Sequence, residues 1–168
     1  YMLTADAQKD DLIYISGNVG EMFNSHLNNE YFLHKDRNQL GKILTDYASA
    51  CTDMSDGLLK SLKNICKKSN LGASIDLEKV CINENIKKQI LNNRMKWDDV
   101  LSYGEDYELI FTINPLNSVK IKNICKQLSI DITEIGSLSN EGRIDFLYNS
   151  NIVNIDINKE FEHFKKND

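Results

Sequence analysis

The chain has 168 residues, 41% hydrophobic and 27% charged, the balance of a globular domain large enough to bury a core. Its formal net charge is −5. An acidic chain lacks the basic face that general nucleic-acid binding needs, so nucleic acid is set aside as a partner. No apolar run approaches the roughly 20 residues of a membrane span, and no basic-then-apolar leader opens the chain. A cytoplasmic protein with no membrane partner is expected. Cys51, Cys66, Cys81 and Cys125 form no CxxC pair. Each lies in an apolar or helical run and reads as a small buried hydrophobe in a reducing compartment. The opening residues "YMLTADAQ" do not resemble a natural start, so a piece of a longer protein is expected.

In chain order, "DLIYIS" (11–16) reads as a strand. "GNVGEMFNSHLNN" carries Val19, Met22, Phe23 and Leu27 at helical spacing, and "RNQLGKILTDYASA" (37–50) places Leu40, Ile43, Leu44 and Tyr47 on one stripe. Leu58, Leu59, Leu62, Ile65 and Cys66 then form an i, i+1, i+4, i+7, i+8 helix face that ends at "KKSNLG". "ASIDL" reads as a strand, "ENIKKQILNN" and "KWDDVLS" as short helices. "YELIFTI" (107–113) is a strand stopped by Pro115, and "SVKIKNICKQLSI" is an amphipathic helix. "DITEIGSL" and "RIDFLYN" are strands with "SNEG" as a hairpin-like turn between them. The mixture predicts one α+β domain, a mixed β-sheet with helices packed on it, spanning 1–168.

Two stretches carry chemistry. In "CTDMSDGLLKSL" (51–62), Asp53, Ser55 and Asp56 stand where a strand gives way to a helix. Ser55 or Asp56 fits an N-cap, which does not account for Asp53. Two carboxylates and a hydroxyl also suit a hard cation such as Mg²⁺, which keeps waters and phosphate oxygens in its shell. In "SYGEDYELIFT" (102–112), Gly104, Glu105 and Asp106 precede the strand. They form either a turn or a ligand-facing loop in which Glu105 or Asp106 accepts a hydrogen bond. His26 and His34 read as solvated or packed, and His163 as packing. Asp98 and Asp99 read as a solvated helix face and Trp97 as core.

Taken together and in order, "DLIYISGNVGE", "TDMSDGLLKSLKNICKKSNLGASID", "YGEDYELIFT", "ITEIGSL" and the terminal "FEHF" resemble the thiamine-monophosphate kinase family, in its C-terminal half. That family is similar in architecture to aminoimidazole ribonucleotide synthetase. The resemblance implies transfer of the γ-phosphoryl of ATP to thiamine monophosphate, giving thiamine diphosphate, in a homodimer. It implies Asp53 and Asp56 as Mg²⁺ ligands and Ser55 as an ATP contact. Glu105 and Phe161 match contacts to the thiamine substrate, where an aromatic face suits a flat heteroaromatic ring. No catalytic base is implied. The family's preceding domain, with further ATP and Mg²⁺ motifs, is expected outside this chain, so the chain alone is expected to be inactive. Two positions depart from the pattern: Thr4 stands where an Arg meets ATP phosphate, and Tyr103 where a second Gly is common. The rival expectation is a non-catalytic ligand-binding or assembly module with the same fold.

Overall fold

The computed structural model describes residues 6–159, and everything below refers to them. Seven strands form a single sheet: β1 (Leu12–Ser16), β2 (Ala48–Asp53), β3 (Gly72–Asp76), β4 (Leu109–Ile113), β5 (Ile132–Ser139), β6 (Ile144–Tyr148) and β7 (Asn151–Val153). Their spatial order is β2-β4-β1-β5-β3-β6-β7. Only β3 and β6 run parallel; the other neighbours are antiparallel. Six α-helices accompany them: α1 (Glu21–Asn28), α2 (Asn38–Tyr47), α3 (Leu58–Ser69), α4 (Glu84–Leu91), α5 (Trp97–Leu101) and α6 (Ser118–Gln127). The expected α+β class with a mixed sheet is what the chain adopts. None of these helices is long and apolar enough to cross a membrane.

The period-2 alternation of β1 divides the core in two. Ile13 and Ile15 join Leu58, Leu59, Leu62 and Ile65 of α3 on one face. Tyr14 joins Leu40 and Leu44 of α2 and Ile121 and Cys125 of α6 on the other. Tyr14 stacks on its cross-strand partner Phe111 at 5.6 Å between ring centroids. Its buried hydroxyl is satisfied by Ser118 Oγ at 2.8 Å and by donation to Glu134 Oε2 at 2.9 Å. The β3–β6–β7 wing adds Ala73, Ile75 and Phe146 to the α3 side only.

Three expectations need correction. The helix read over 37–50 stops at Tyr47, and Ala48 begins β2 directly. The "SNEG" segment closes no hairpin, because β3 lies between β5 and β6. The tight hairpin is β6–β7: Tyr148 pairs with Asn151 around Asn149 and Ser150, both at positive φ (49° and 62°). That pair of left-handed residues is the type I′ geometry suited to strand twist. In α1 the buried residues are Asn24 and Ser25, whereas Leu27 is 48% exposed. The stripe expected inside therefore lies partly outside.

Cys51, Cys66 and Cys125 are buried free thiols and Cys81 is half-buried, as their apolar settings suggested. Burial pushes the thiols of Cys51 and Cys66 up to about 11, so they are inert at neutral pH. Gly136 on β5 is forced by close approach, since a Cβ there would lie 2.0 Å from the Ser74 carbonyl oxygen. Gly136→Ala is expected to cost about 1–3 kcal/mol, read as a lower midpoint in urea unfolding. An unchanged midpoint would contradict this packing of β3 on β5.

Candidate functional site

β2 and β4 are neighbours, and Asp53 at the end of β2 pairs with Leu109 at the start of β4. The two motifs therefore leave the sheet side by side. Their backbones stay joined past the last strand pair. Met54 N–H donates to the Glu108 carbonyl (2.7 Å), and Glu105 N–H donates to the Ser55 carbonyl (2.8 Å). Met54 is 1% exposed, plugged into the α3-side core. Gly57 completes the junction at φ 90°, where a Cβ would sit 2.6 Å from the Ser102 carbonyl oxygen. Asp53, Ser55, Asp56 and Glu105 thus belong to one pair of interlocked loops.

Neither Ser55 nor Asp56 is the N-cap of α3. The cap position is Gly57, with no side-chain cap bond. Asp56 instead lies 2.8 Å from Lys60 Nζ, and Ser61 Oγ donates to the Asp53 carbonyl at 2.8 Å. The helix does without a cap because its buried leucines outweigh one. A cap contributes typically ~1 kcal/mol, and each fully buried Leu roughly 1.5–3 kcal/mol. Capping therefore does not explain the acids of this loop.

The second loop is held from below by alternate residues. Asp106 and Glu108 are buried, while Glu105 is half-exposed and Tyr107 is 48% exposed. Glu105 and Tyr107 are both left-handed, at φ 69° and 52°. Such residues cost of order 1–3 kcal/mol each and persist only where surroundings hold them. Asp106 accepts the N–H groups of Gly20 (2.7 Å) and Met22 (3.0 Å), so it caps α1 from 84 residues away. It is an anchor rather than the free acceptor considered as an alternative to Glu105. Glu108 receives both prongs of the Arg37 guanidinium, at 2.6 Å each, and the hydroxyl of Ser16.

The profile of the family described as AIR synthase related protein, C-terminal domain, matches residues 30–149, well over half of the chain. The chain belongs to that family. It is 33% identical over 184 aligned positions to a thiamine-monophosphate kinase of Buchnera aphidicola subsp. Acyrthosiphon pisum, covering 97% of this chain and 55% of that protein. The chain thus spans about half the length of the curated relative it matches. Its fold is similar to AaThiL complexed with AMPPCP and TMP (TM-score 0.67, 21% identity, 96% of this chain and 53% of the other). It is also similar to a chain of the HypE–HypF complex (TM-score 0.72, 20% identity, 92% of this chain and 55% of the other).

Within this AIR synthase related domain, the 53–56 loop offers only oxygen donors, the chemistry Mg²⁺ accepts. Asp53 is exposed, and Ser55 and Asp56 are half-exposed. Among the described residues no three His, Cys, Asp or Glu side chains converge as a metal site. The loop fits a partial ligand set, completed by waters, phosphate or other protein oxygens. Thr4, Phe161 and His163 lie outside the described residues.

Aromatic rings surround the second loop. Tyr103 stacks on Phe23 of α1 (4.5 Å between centroids), and its hydroxyl meets His26 Nδ1. His34 stands edge-on to Tyr107 at 4.9 Å and to Phe32 at 5.2 Å. Both histidines are solvent-exposed and rest against these rings, within the solvated-or-packed reading of the sequence. Trp97 is half-buried against Tyr148. Asp99 departs from the solvated-face reading: it accepts the Lys96 N–H and pairs with Lys159. Arg37 and Glu108 do not stand out in the sequence, where nothing links two residues 71 positions apart.

Burial pushes the Asp106 carboxyl up to about 6, aided by Glu108 and Glu21 and opposed by the two N–H donors. An acid whose folded value is raised binds more protons folded than unfolded, so its contribution to stability falls as pH rises from about 4 to about 6. The wild type should therefore lose about 2–3 kcal/mol of stability relative to Asp106→Asn over that window. Urea titrations at several pH values measure it, and a constant difference would refute the raised Asp106 carboxyl.

Proposed function

We propose that this domain is the C-terminal part of an ATP-dependent kinase that converts thiamine monophosphate to thiamine diphosphate. The observation that carries the reading is the junction of the two motifs, with the Glu105 N–H on the Ser55 carbonyl. It sets the nucleotide-side residues of the resemblance beside the substrate-side residue. The similarity to a thiamine-monophosphate kinase at 33% identity supports the same assignment. So do the AMPPCP and TMP in the AaThiL complex.

Phosphoryl transfer asks the protein for alignment and charge neutralisation rather than covalent chemistry. In this reading Ser55 contacts ATP, and Glu105 and Phe161 hold the thiamine substrate. Asp53 and Asp56 hold Mg²⁺ together with donors from elsewhere in a homodimeric, cytoplasmic protein. The ion, when bound, neutralises phosphate charge. The acceptor phosphate is already ionised at neutral pH, so the described residues need supply no base. A second reading is a non-catalytic assembly module of the same fold, a fold also found in a protein of the HypE–HypF complex. Fold alone does not choose between them.

The deciding experiment is ATP-dependent formation of thiamine diphosphate by the protein that carries this chain. Asp53→Asn and Asp56→Asn are expected to fold, since neither carboxylate caps α3, and to shift the Mg²⁺ dependence of activity upward at least about tenfold. Unchanged Mg²⁺ dependence in both would leave the loop as a structural turn. The 168-residue chain alone is expected to show no turnover in the roughly 1–100 s⁻¹ range of kinases. Activity in that range would overturn the need for donors beyond it.

A further inference from the structure

We infer that Arg37 is a positioning residue for the acceptor substrate, acting through Glu108 on the backbone that carries Glu105. This inference rests on the kinase reading above and adds to it a residue that no motif contains.

The geometry is that of a buried clamp. The Arg37 and Glu108 side chains are only 10% and 8% exposed. Arg37 Nε donates to Glu108 Oε2 and Nη2 to Oε1, a two-pronged contact that fixes angle as well as distance. Ser16 Oγ donates to the same carboxylate while accepting the Leu109 N–H at 2.9 Å. Gly17 makes room: a Cβ there would fall 2.2 Å from Glu108 Oε1 and 2.7 Å from Arg37 Nη2. The last residue of β1, the residue before α2 and the residue before β4 thus meet at one carboxylate.

Stability alone does not call for this arrangement. A buried ion pair is often no better than well-packed apolar side chains of the same size. What the pair adds is a fixed position for Glu108, three residues after Glu105. The Glu108 carbonyl holds Met54, and the Glu105 N–H reaches the Ser55 carbonyl. Glu105 and Tyr107, both left-handed, are the strained residues on either side of Asp106. If Glu108 shifts, the backbone of Glu105 shifts with it, away from Ser55. In the loop before Arg37, His34 stands edge-on to Tyr107.

The test compares Arg37→Met, Arg37→Lys and the double variant Arg37→Met/Glu108→Leu in the protein that carries this chain. Arg37→Met should raise KM for thiamine monophosphate at least about tenfold, equivalent to ~1.4 kcal/mol, with KM for ATP unchanged. Arg37→Lys keeps the charge but not the fork, so it should fold and give a smaller rise in the same KM. The double variant should recover thermal stability while KM for thiamine monophosphate stays raised. A KM that stays at the wild-type value, or that returns with stability in the double variant, would overturn the proposal. If the wild type does not phosphorylate thiamine monophosphate, the kinase reading fails by itself. Hydrogen exchange of the Glu105 amide in this chain then decides the clamp. Exchange accelerated at least about tenfold in Arg37→Lys upholds it as the device that holds the loop, and unchanged exchange refutes it.

Discussion

Everything at the site depends on two backbone hydrogen bonds that continue the β2–β4 pairing after the strands end. Met54 to Glu108 and Glu105 to Ser55 make two loops into one object. Their own energy is modest, about 0.5–1.5 kcal/mol net for each. The left-handed residues Glu105 and Tyr107 cost more than that together. The loops keep their shape because stronger contacts lie beneath them. Met54 is driven into the core, Asp106 satisfies the start of α1, and Glu108 is gripped by Arg37. The accessible chemistry rests on side chains that are largely buried.

The sheet explains why those anchors are available. β1 is an interior strand, buried from Ile13 to Ser16 and flanked by β4 and β5. Its last residue, Ser16, therefore arrives beside the start of β4 with nowhere to go but into the polar cluster around Glu108. Helices on both faces of β1 make this end of the sheet rigid. The same frame recurs in AaThiL complexed with AMPPCP and TMP and in a chain of the HypE–HypF complex. Chemistry is set by what the loops carry.

Where a local pattern decides structure, the sequence is readable. The leucine stripe of α3 buries one helix face, the apolar runs of β1 and β4 are buried on both sides, and all three elements appear as expected. Reading fails where distant segments decide. The run "ASAC" has small residues with no strong period, and it becomes β2 only because β4 offers an open edge. The "SNEG" turn looks local, but β3 intrudes between its strands. Ser55 or Asp56 fits a cap because polar residues before a helix usually serve that role; burial of α3 makes it unnecessary. Asp53, Ser55, Asp56 and Glu105 stand out by pattern and order. Arg37, which grips Glu108 across 71 positions, does not.

Gly57 against Ser102 has a further implication for how such domains diversify. With contact at the level of main chain and no room for a Cβ, segments 53–57 and 102–108 share one shape. Neither can be exchanged for a relative's version alone without importing a backbone that its partner does not match. In chimeras the two segments form a single heritable module, and substrate preference would travel with the pair, not with either half.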